Sequence, residues 1–278
     1  MGSVITDQEF QLLRDYIEKH CGISLDRNKM YLVESRLNTL MIENGCDNYN
    51  ALYRKASADT TNGLRDKIID AMTTNETLWF RDNGPYQSLK ELLSTLADEI
   101  RSGKRQKIRI WSAACSTGQE PYSIAVTVLE SGQAGSGLRP EQVEIIATDI
   151  SSTALFMAKL ARYDAIAINR GLPPDIRDRY FKSEGRVWAL SDRVKRMVTL
   201  KKMNLQESFS PIGKCDIVFC RNVLIYFSEQ FKKDIFSRLA GLLRPSGHLF
   251  IGASESLSTY SNEYTMVRNS HGIYYKVK

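Results

Sequence analysis

From about residue 105 onward the chain alternates between short apolar runs and amphipathic runs, and this alternation restricts the fold more than any other feature. Four runs have the apolar composition and length of buried strands: "KIRIWSAA", "VEIIATDI", "CDIVFC" and "GHLFIGA". Helical patterns follow the first three: "EPYSIAVTVLESG", "SSTALFMAKLARY" and "EQFKKDIFSRLAGLL". Strands that alternate with helices predict an α/β fold with a doubly wound, mostly parallel sheet, which the terminal run "YTMVRNSHGIYYKV" would close as a hairpin.

The first 72 residues instead predict an all-α N-terminal domain. Thr6 followed by Glu9 is a capping box for a first helix, which "CGI" ends. Shorter helices are predicted over 47–57 and 60–72. A second helix is predicted from Asp26 to Gly45, with a buried stripe formed by Tyr31, Leu32, Leu37, Leu40 and Met41.

These patterns divide the chain into a helical N-terminal domain (1–72), a linker (73–84) and an α/β domain (85–278). Residues 164–203 interrupt the alternation of the α/β domain. Two short runs there, "GRVWAL" and "RMVTLKKM", predict antiparallel strands. We therefore expect a small antiparallel β-subdomain inserted at about 164–203.

The charge of the chain is uneven. The net charge is +6, but residues 159–202 alone hold 12 basic and 5 acidic residues. This segment is either a solvated basic surface or a docking face for an acidic partner, and the sequence leaves both open.

The composition excludes several classes of protein. No apolar run approaches the length of a membrane span, and the first residues lack a signal-peptide pattern. The five cysteines include no CxxC pair, which predicts reduced, structural thiols and a cytosolic protein. The three histidines are too dispersed for a zinc site, so no metal is expected.

Polar side chains follow the predicted strands at their carboxyl ends, where doubly wound sheets bind ligands. In chain order these residues are Glu120, Asp149, Asn204, Arg221 and Asn222. Three of them have a structural alternative. Glu120 could be a helix N-terminal acid, Asp149 an N-cap and Asn204 a turn residue.

The loop between the first strand and its helix, "SAACSTGQEP", has one glycine, Gly118, and then Glu120. Phosphate-binding loops contain more glycine and avoid a carboxylate that would repel the phosphate. S-adenosylmethionine contains an adenosine but no phosphate, and its sulfonium and ammonium groups are positive. A carboxylate at this loop therefore favours S-adenosylmethionine over a dinucleotide.

The linker contains the polar run "MTTNETLWFRD", which ends in a Trp-Phe-Arg triplet. Asn75 and Thr77 suit polar recognition, and Arg81 could bind a carboxylate through two hydrogen bonds. Binding sites favour such domain junctions. The alternative is a plain connector in which Trp79 and Phe80 fill the core.

Four motifs in this order resemble those of the CheR-type chemotaxis receptor methyltransferases: "TTNETLWFRD", "IWSAACSTGQEPYSIA", "ATDIS" and "CDIVFCRNVLIYF". The resemblance covers nearly the whole chain, including the helical block and "LRPSGHLFIGASESL". It implies transfer of a methyl group from S-adenosylmethionine to glutamates of chemoreceptors. The family's loop often reads Gly-Glu-Glu, whereas this chain has Gly118-Gln119-Glu120, so the resemblance assigns no charge to Gln119.

The resemblance also implies roles for individual residues. Tyr226 matches a tyrosine near the transferred methyl group, and we assign Tyr226 and Arg81 to catalysis. A core aromatic is the alternative for Tyr226. The cofactor contacts that the resemblance implies are Asn75, Thr77, Arg81, Glu120, Asp149, Asn204, Leu205, Asn222 and Val223.

Methyl transfer to glutamate agrees with the absence of a recognisable base or nucleophile motif. A glutamate side chain has a reference pKa of about 4.3, so it is ionised and already nucleophilic at neutral pH. Alignment of the two reactants and removal of water can then supply catalysis.

The main alternative is a nucleic-acid methyltransferase or nucleic-acid-binding protein, which a pI of about 9.0 and the basic segment 159–202 favour. Against it, the sequence has no Asn/Asp-Pro-Pro-aromatic motif, Pro-Cys nucleophile or RNA-binding module. We therefore expect no nucleic-acid partner.

The expected partner is the cytoplasmic helical region of a chemoreceptor, which a monomer of this chain would bind directly. In related proteins a longer, glycine-rich hairpin can hold a peptide at the receptor's C-terminus. Here "RYFKSEGRVWALSDRVKRMV" is short and has only Gly185, so we expect no such tether. The basic residues Arg14, Lys29 and Arg36 are candidate receptor contacts.

Overall fold

A computed structural model describes residues 4–278. Its centre is a seven-stranded sheet in the order β6-β2-β1-β7-β8-β10-β9, in which only the last two strands run antiparallel to their neighbours. The predicted α/β class with a doubly wound, mostly parallel sheet is therefore confirmed. The strands are β1 Ile108–Ala113, β2 Val143–Asp149, β3 Arg162–Asp164, β4 Phe181–Glu184, β5 Val187–Leu190, β6 Val198–Lys202, β7 Cys215–Cys220, β8 Leu243–Phe250, β9 Tyr264–Asn269 and β10 Gly272–Val277.

The described chain contains no helix long and apolar enough to cross a membrane. Short 3₁₀ turns add to the α-helices, and one of them, Leu224–Tyr226, carries a predicted site residue. The α-helices are α1 Asp7–Cys21, α2 Met30–Glu43, α3 Tyr49–Ala58, α4 Gly63–Met72, α5 Gly84–Arg101, α6 Gln119–Ser131, α7 Ser152–Leu160, α8 Ala165–Asn169, α9 Pro174–Tyr180, α10 Asp192–Lys195 and α11 Glu229–Leu242.

The central strands are buried on both faces, which explains their nearly continuous apolar sequence. Ile108 and Ile110 of β1 point into a core that α5 and α6 share, whereas Trp111 and Ala113 point into a second core with α11. Successive side chains of a strand alternate between faces, so one strand serves both cores.

The N-terminal helices form a separate core, and the all-α N-terminal domain is confirmed. The capping box at Thr6 is present: the Glu9 carboxylate accepts from the Thr6 backbone N–H at 3.0 Å, and the Thr6 side chain accepts from Glu9 N–H. The buried stripe predicted for the second helix is partly wrong, because Tyr31 is 69% exposed and Leu32 is half-buried. A 3₁₀ turn at Arg27–Lys29 precedes α2, and the buried face instead contains Val33, Leu37, Leu40 and Met41.

The inserted sheet differs from the prediction in one strand. The run "GRVWAL" forms an antiparallel strand, β5, as predicted, and its partners are β3 and β4 in a three-stranded sheet. The run "RMVTLKKM" forms β6 instead, which pairs parallel to β2 at the edge of the main sheet. An edge strand and a strand of a small subdomain have the same half-exposed pattern, so the sequence could not distinguish them. The predicted helix "SSTALFMAKLARY" also ends early, at Leu160, and Arg162–Asp164 is the third strand of the small sheet.

The helical N-terminal block contacts the α/β domain through the end of α1. The backbone N–H of Ser24 donates to the carbonyl of Tyr226 at 2.8 Å, and Ile23 forms an isolated antiparallel bridge with Phe227. Gly22 ends α1 with φ 76°, and a Cβ built there would lie 2.5 Å from the ring of Phe231. Glycine is therefore required at this position both for its backbone conformation and for the close approach of α11.

We predict that Gly22→Ala destabilises the protein more than Gly45→Ala does. Both glycines have positive φ, and alanine in that conformation costs about 1 kcal/mol. Only Gly22 faces a neighbour, since nothing lies within 4 Å of a Cβ at Gly45. Overpacking adds about 1–3 kcal/mol.

Urea unfolding followed by circular dichroism would measure both changes. Equal shifts of the two midpoints would contradict the role of Gly22 in packing the helical block against α11.

Candidate functional site

A cleft of about 910 Å³, including the space open to solvent at its mouth, lies at the carboxyl ends of β1, β2 and β7. The end of α1 and the segment after α4 complete its wall. The cleft is lined by all ten residues that the sequence singled out as cofactor-binding or catalytic: Asn75, Thr77, Arg81, Glu120, Asp149, Asn204, Leu205, Asn222, Val223 and Tyr226. The structure thus brings these residues together, and their individual roles stay predictions.

The loop after β1 reaches the cleft in an unusual backbone conformation. Ala114 and Ser116 have φ values of 58° and 52°, in the left-handed region that non-glycine residues rarely adopt. Gly118 follows with φ 97°, and a Cβ there would lie 2.9 Å from Tyr122 and 3.0 Å from the Ala158 side chain. Packing inside the protein therefore already accounts for the single glycine of this loop.

Glu120 lies in the first turn of α6 and is buried. Its carboxylate accepts a hydrogen bond from the Ser112 hydroxyl at 2.7 Å and pairs with Arg221 at 3.3 Å. Burial raises the pKa of Glu120, and the positive charge of Arg221 opposes that rise. Glu120 is thus an acid in the first turn of a helix, as the structural alternative for this residue stated, but its side chain also lines the cleft.

Arg221, which the sequence placed after a strand without a role, also lines the cleft. Its side chain is 1% exposed, and it pairs with Asp82 at 2.7 Å as well as with Glu120. It also donates to the carbonyl of Arg81 at 2.9 Å. Its place directly after a buried strand was the only signal available in the sequence.

Asp149 ends β2 and is also buried. Its two carboxylate oxygens accept from the backbone N–H groups of Ser116 at 2.8 Å and Ser151 at 2.9 Å. Burial raises the pKa of Asp149, and these two N–H donors oppose the rise. Ser151, rather than Asp149, is the N-cap of α7, because the Ser151 hydroxyl accepts from Ala154 N–H at 3.0 Å.

The segment after α4 both fills the core and lines the cleft, the two roles that its sequence had left open. Trp79 is fully buried and fills the core, whereas Asn75, Thr77 and Arg81 line the cleft. The carbonyl of Asn75 accepts from the Ser116 hydroxyl at 2.9 Å, which joins the segment to the loop after β1.

Arg36 was predicted as a receptor contact, but its guanidinium donates hydrogen bonds within the protein. Its guanidinium donates to the carbonyls of Met72 at 2.7 Å and Thr73 at 3.2 Å, and to the Thr74 hydroxyl at 3.0 Å. It therefore anchors the start of the cleft segment to α2, so it is a poor candidate for a free receptor-binding cation.

The remaining predicted residues form the other side of the cleft. Asn204 is a turn residue, since its side-chain oxygen Oδ1 accepts from Gln206 N–H at 3.0 Å. Its side-chain NH₂ donates to the carbonyl of His20 at 2.8 Å. Asn222 has φ 58° and begins the loop that carries Tyr226. Tyr226 is half-buried: it packs against the second core and also lines the cleft.

The chemistry of the lining fits S-adenosylmethionine. Two buried carboxylates, Glu120 and Asp149, face a cleft that also contains amide side chains and the apolar residues Ile150, Met203 and Leu205. The carboxylates suit hydroxyl and ammonium groups, and the apolar residues suit the faces of an adenine ring. The residues of the lining therefore suit each part of S-adenosylmethionine.

Comparison with known proteins agrees with this geometry. Residues 8–73 match the family described as "CheR methyltransferase, all-alpha domain". Residues 75–273 match the family described as "CheR methyltransferase, SAM binding domain".

Relatives are similar over nearly their whole length. The chain is 46% identical to "Chemotaxis protein methyltransferase 1" of Pseudomonas aeruginosa, covering 97% of this chain and 98% of the relative. It is 45% identical to "Chemotaxis protein methyltransferase 1" of Vibrio cholerae, covering 99% and 98%. It is 33% identical to "Chemotaxis protein methyltransferase" of Borreliella burgdorferi, covering 94% and 93%. The chain therefore belongs to the CheR methyltransferase family and is an S-adenosylmethionine-dependent methyltransferase.

Proposed function

We propose that this enzyme transfers the methyl group to glutamate side chains in the cytoplasmic helical region of methyl-accepting chemotaxis receptors, forming glutamyl methyl esters. The observation that carries the proposal is one cleft lined by the buried carboxylates of Glu120 and Asp149 together with Arg81 and Tyr226. The printed names of the relatives support a chemotaxis substrate. Family membership also favours a receptor over the nucleic-acid substrate that the basic composition had left open.

Cofactor binding is assigned to the lining residues. The cofactor supplies an electrophilic methyl group on a sulfonium. Glu120 would bind its positively charged amino-acid end, and Asp149 would accept from the ribose hydroxyls. Asn75, Thr77, Asn204, Leu205, Asn222 and Val223 would complete the pocket. We propose residues 73–84 as the linker that carries part of this set.

The acceptor carboxylate is ionised at neutral pH, so the protein needs to align it rather than deprotonate it. Arg81 is suited to bind a carboxylate: within residues 4–278 its guanidinium donates one weak hydrogen bond, of 3.5 Å, to the carbonyl of Glu76. The Tyr226 hydroxyl would orient the acceptor at the methyl group. With the cofactor held by Glu120 and Asp149, an acceptor carboxylate oxygen would bond to the methyl carbon as the carbon–sulfur bond breaks, which would leave S-adenosylhomocysteine.

We further propose that a cytoplasmic monomer binds the receptor helices without a C-terminal tether and without nucleic acid. The hairpin between β4 and β5 supports this, since only Gly185 and Arg186 separate the two strands. Arg14 and Lys29 remain candidate receptor contacts, although Arg14 already pairs with Asp15 at 2.7 Å.

Methylation of purified receptor cytoplasmic fragments tests the proposed function. With methyl-labelled cofactor, we expect label on the fragment that base releases, because methyl esters hydrolyse in base. Fragments that lack their last five residues should be labelled at the same rate. Base-stable label, or label on nucleic acid, would refute the proposal, and a requirement for the last five residues would refute the tether-free part.

Glu120→Ala and Asp149→Ala should each weaken binding of S-adenosylhomocysteine. Loss of a charge-assisted hydrogen bond costs about 1.5–3 kcal/mol, or about 10- to 150-fold in affinity. Calorimetry on folded protein would measure the change. Glu144→Ala is the control, since Glu144 lies at the opposite end of β2 and pairs with Arg109 at 2.8 Å. Unchanged affinity in a folded Glu120 variant would remove that residue from the cofactor site.

Tyr226→Phe should lower kcat about two- to tenfold, the effect of losing one hydrogen bond in the transition state. The affinity for S-adenosylhomocysteine should stay the same, because the hydroxyl is assigned to the acceptor. Tyr260→Phe is the control, since Tyr260 packs against the same core but does not line the cleft. A wild-type kcat for Tyr226→Phe would leave Tyr226 as a core aromatic only.

A further inference from the structure

Glu255 lies outside the cleft, and its carboxylate accepts hydrogen bonds from the backbone of the cleft-lining loop that contains Asn222 and Tyr226. One oxygen accepts from the N–H groups of Leu224 at 2.8 Å and Ile225 at 3.3 Å. The other accepts from the N–H groups of Asn222 at 2.9 Å and Gly252 at 2.6 Å. One side chain thus satisfies four backbone donors, among them the N–H of the predicted cofactor residue Asn222, and does not itself line the cleft.

This arrangement determines the conformation of the segment from Asn222 to Tyr226. Asn222 is in the left-handed region, at φ 58°, and the 3₁₀ turn Leu224–Tyr226 begins two residues later. The first N–H groups of such a turn have no partner within it, and the Glu255 carboxylate supplies one. A strained residue followed by a short turn persists only where the surroundings fix it.

The place of Glu255 is itself set by close packing. A Cβ built on Gly252 would lie 2.6 Å from the Asn222 amide nitrogen, 2.8 Å from a Glu255 carboxylate oxygen and 2.9 Å from the Asn222 backbone nitrogen. Only glycine therefore allows the end of β8, the carboxylate and the loop to meet. On its far side, Tyr226 is held by the hydrogen bond from Ser24.

We propose that Glu255 is a positioning residue for methyl transfer. It fixes the loop so that Asn222 and Val223 face the cofactor and Tyr226 faces the reacting methyl group. The inference rests on the proposed function of the cleft, and it adds a residue that acts only through the backbone of others. Glu255 lines a second cavity, together with Asp82 and Arg221, rather than the cleft itself.

Glu255→Gln tests the proposal with the least change in shape. The amide would present an NH₂ group to backbone donors, so part of the loop would lose its acceptor. Calorimetry with S-adenosylhomocysteine gives the concentration of clefts that can bind it, and kcat is expressed per such cleft. We expect this kcat to fall by at least about tenfold, which corresponds to about 1.36 kcal/mol of transition-state stabilisation. Glu263→Gln is the matched control: it makes the same change of charge on an exposed side chain that bonds only to Ser261.

A purely structural role would reduce the number of folded clefts and leave kcat per cleft near the wild-type value, and that result would overturn the proposal. If Glu255→Gln does not fold, Glu255→Asp keeps the negative charge but shortens the side chain, so the carboxylate no longer reaches all four donors, and the same fall in kcat is expected. Combination with Tyr226→Phe adds a second criterion. Residues that act through one another have non-additive effects, so Glu255→Gln should cost much less in that background.

Additive effects would overturn the connection through Tyr226. These outcomes are separate from failure of the proposed function, which would show as an absence of base-labile methyl ester with the wild-type enzyme.

Discussion

Arg221 is a cation buried inside the α/β domain, and the cleft depends on how its charge is compensated. A buried charge without a partner costs several kcal/mol, so Arg221, Glu120 and Asp82 depend on one another. The group joins the end of β7, the first turn of α6 and the segment before α5. Two carboxylates around one guanidinium leave a formal negative charge, to which Asp149 adds. This balance suits a cofactor that is positive at its sulfonium and ammonium groups.

The helical domain is also part of the cleft, although its core is separate. Cys21 and Ile23 line the cleft, and the segment at Gly22–Ser24 contacts the backbone of Tyr226 and Phe227. The Arg36 guanidinium, on α2, holds the start of the cleft segment. The geometry of the site therefore depends on contacts between the helical domain and the α/β domain.

Strained backbone is concentrated around this site. Nine non-glycine residues in the described chain have positive φ, and six of them lie in the segments that build the cleft: Phe80, Asp82, Asn83, Ala114, Ser116 and Asn222. Such conformations cost about 1–3 kcal/mol each and persist where surrounding contacts determine them. The Asp149 carboxylate provides such a contact at Ser116, and Glu255 provides one at Asn222.

The sequence by itself determined the alternation of strands and helices, and with it the position of Glu120 and Asp149, because carboxyl ends of parallel strands meet at one edge of a sheet. It also determined the first helix, whose capping box involves residues three apart. Tertiary structure decided that β6 belongs to the main sheet and that Tyr31 is exposed. It also decided that Arg36 bonds to carbonyls of the protein itself. It also paired Arg221 with an acid 139 positions away and brought the Glu255 carboxylate to the backbone of the loop that contains Tyr226. Local periodicity reports which face of an element is apolar, whereas charge pairing and edge position depend on neighbours that only the folded chain brings together.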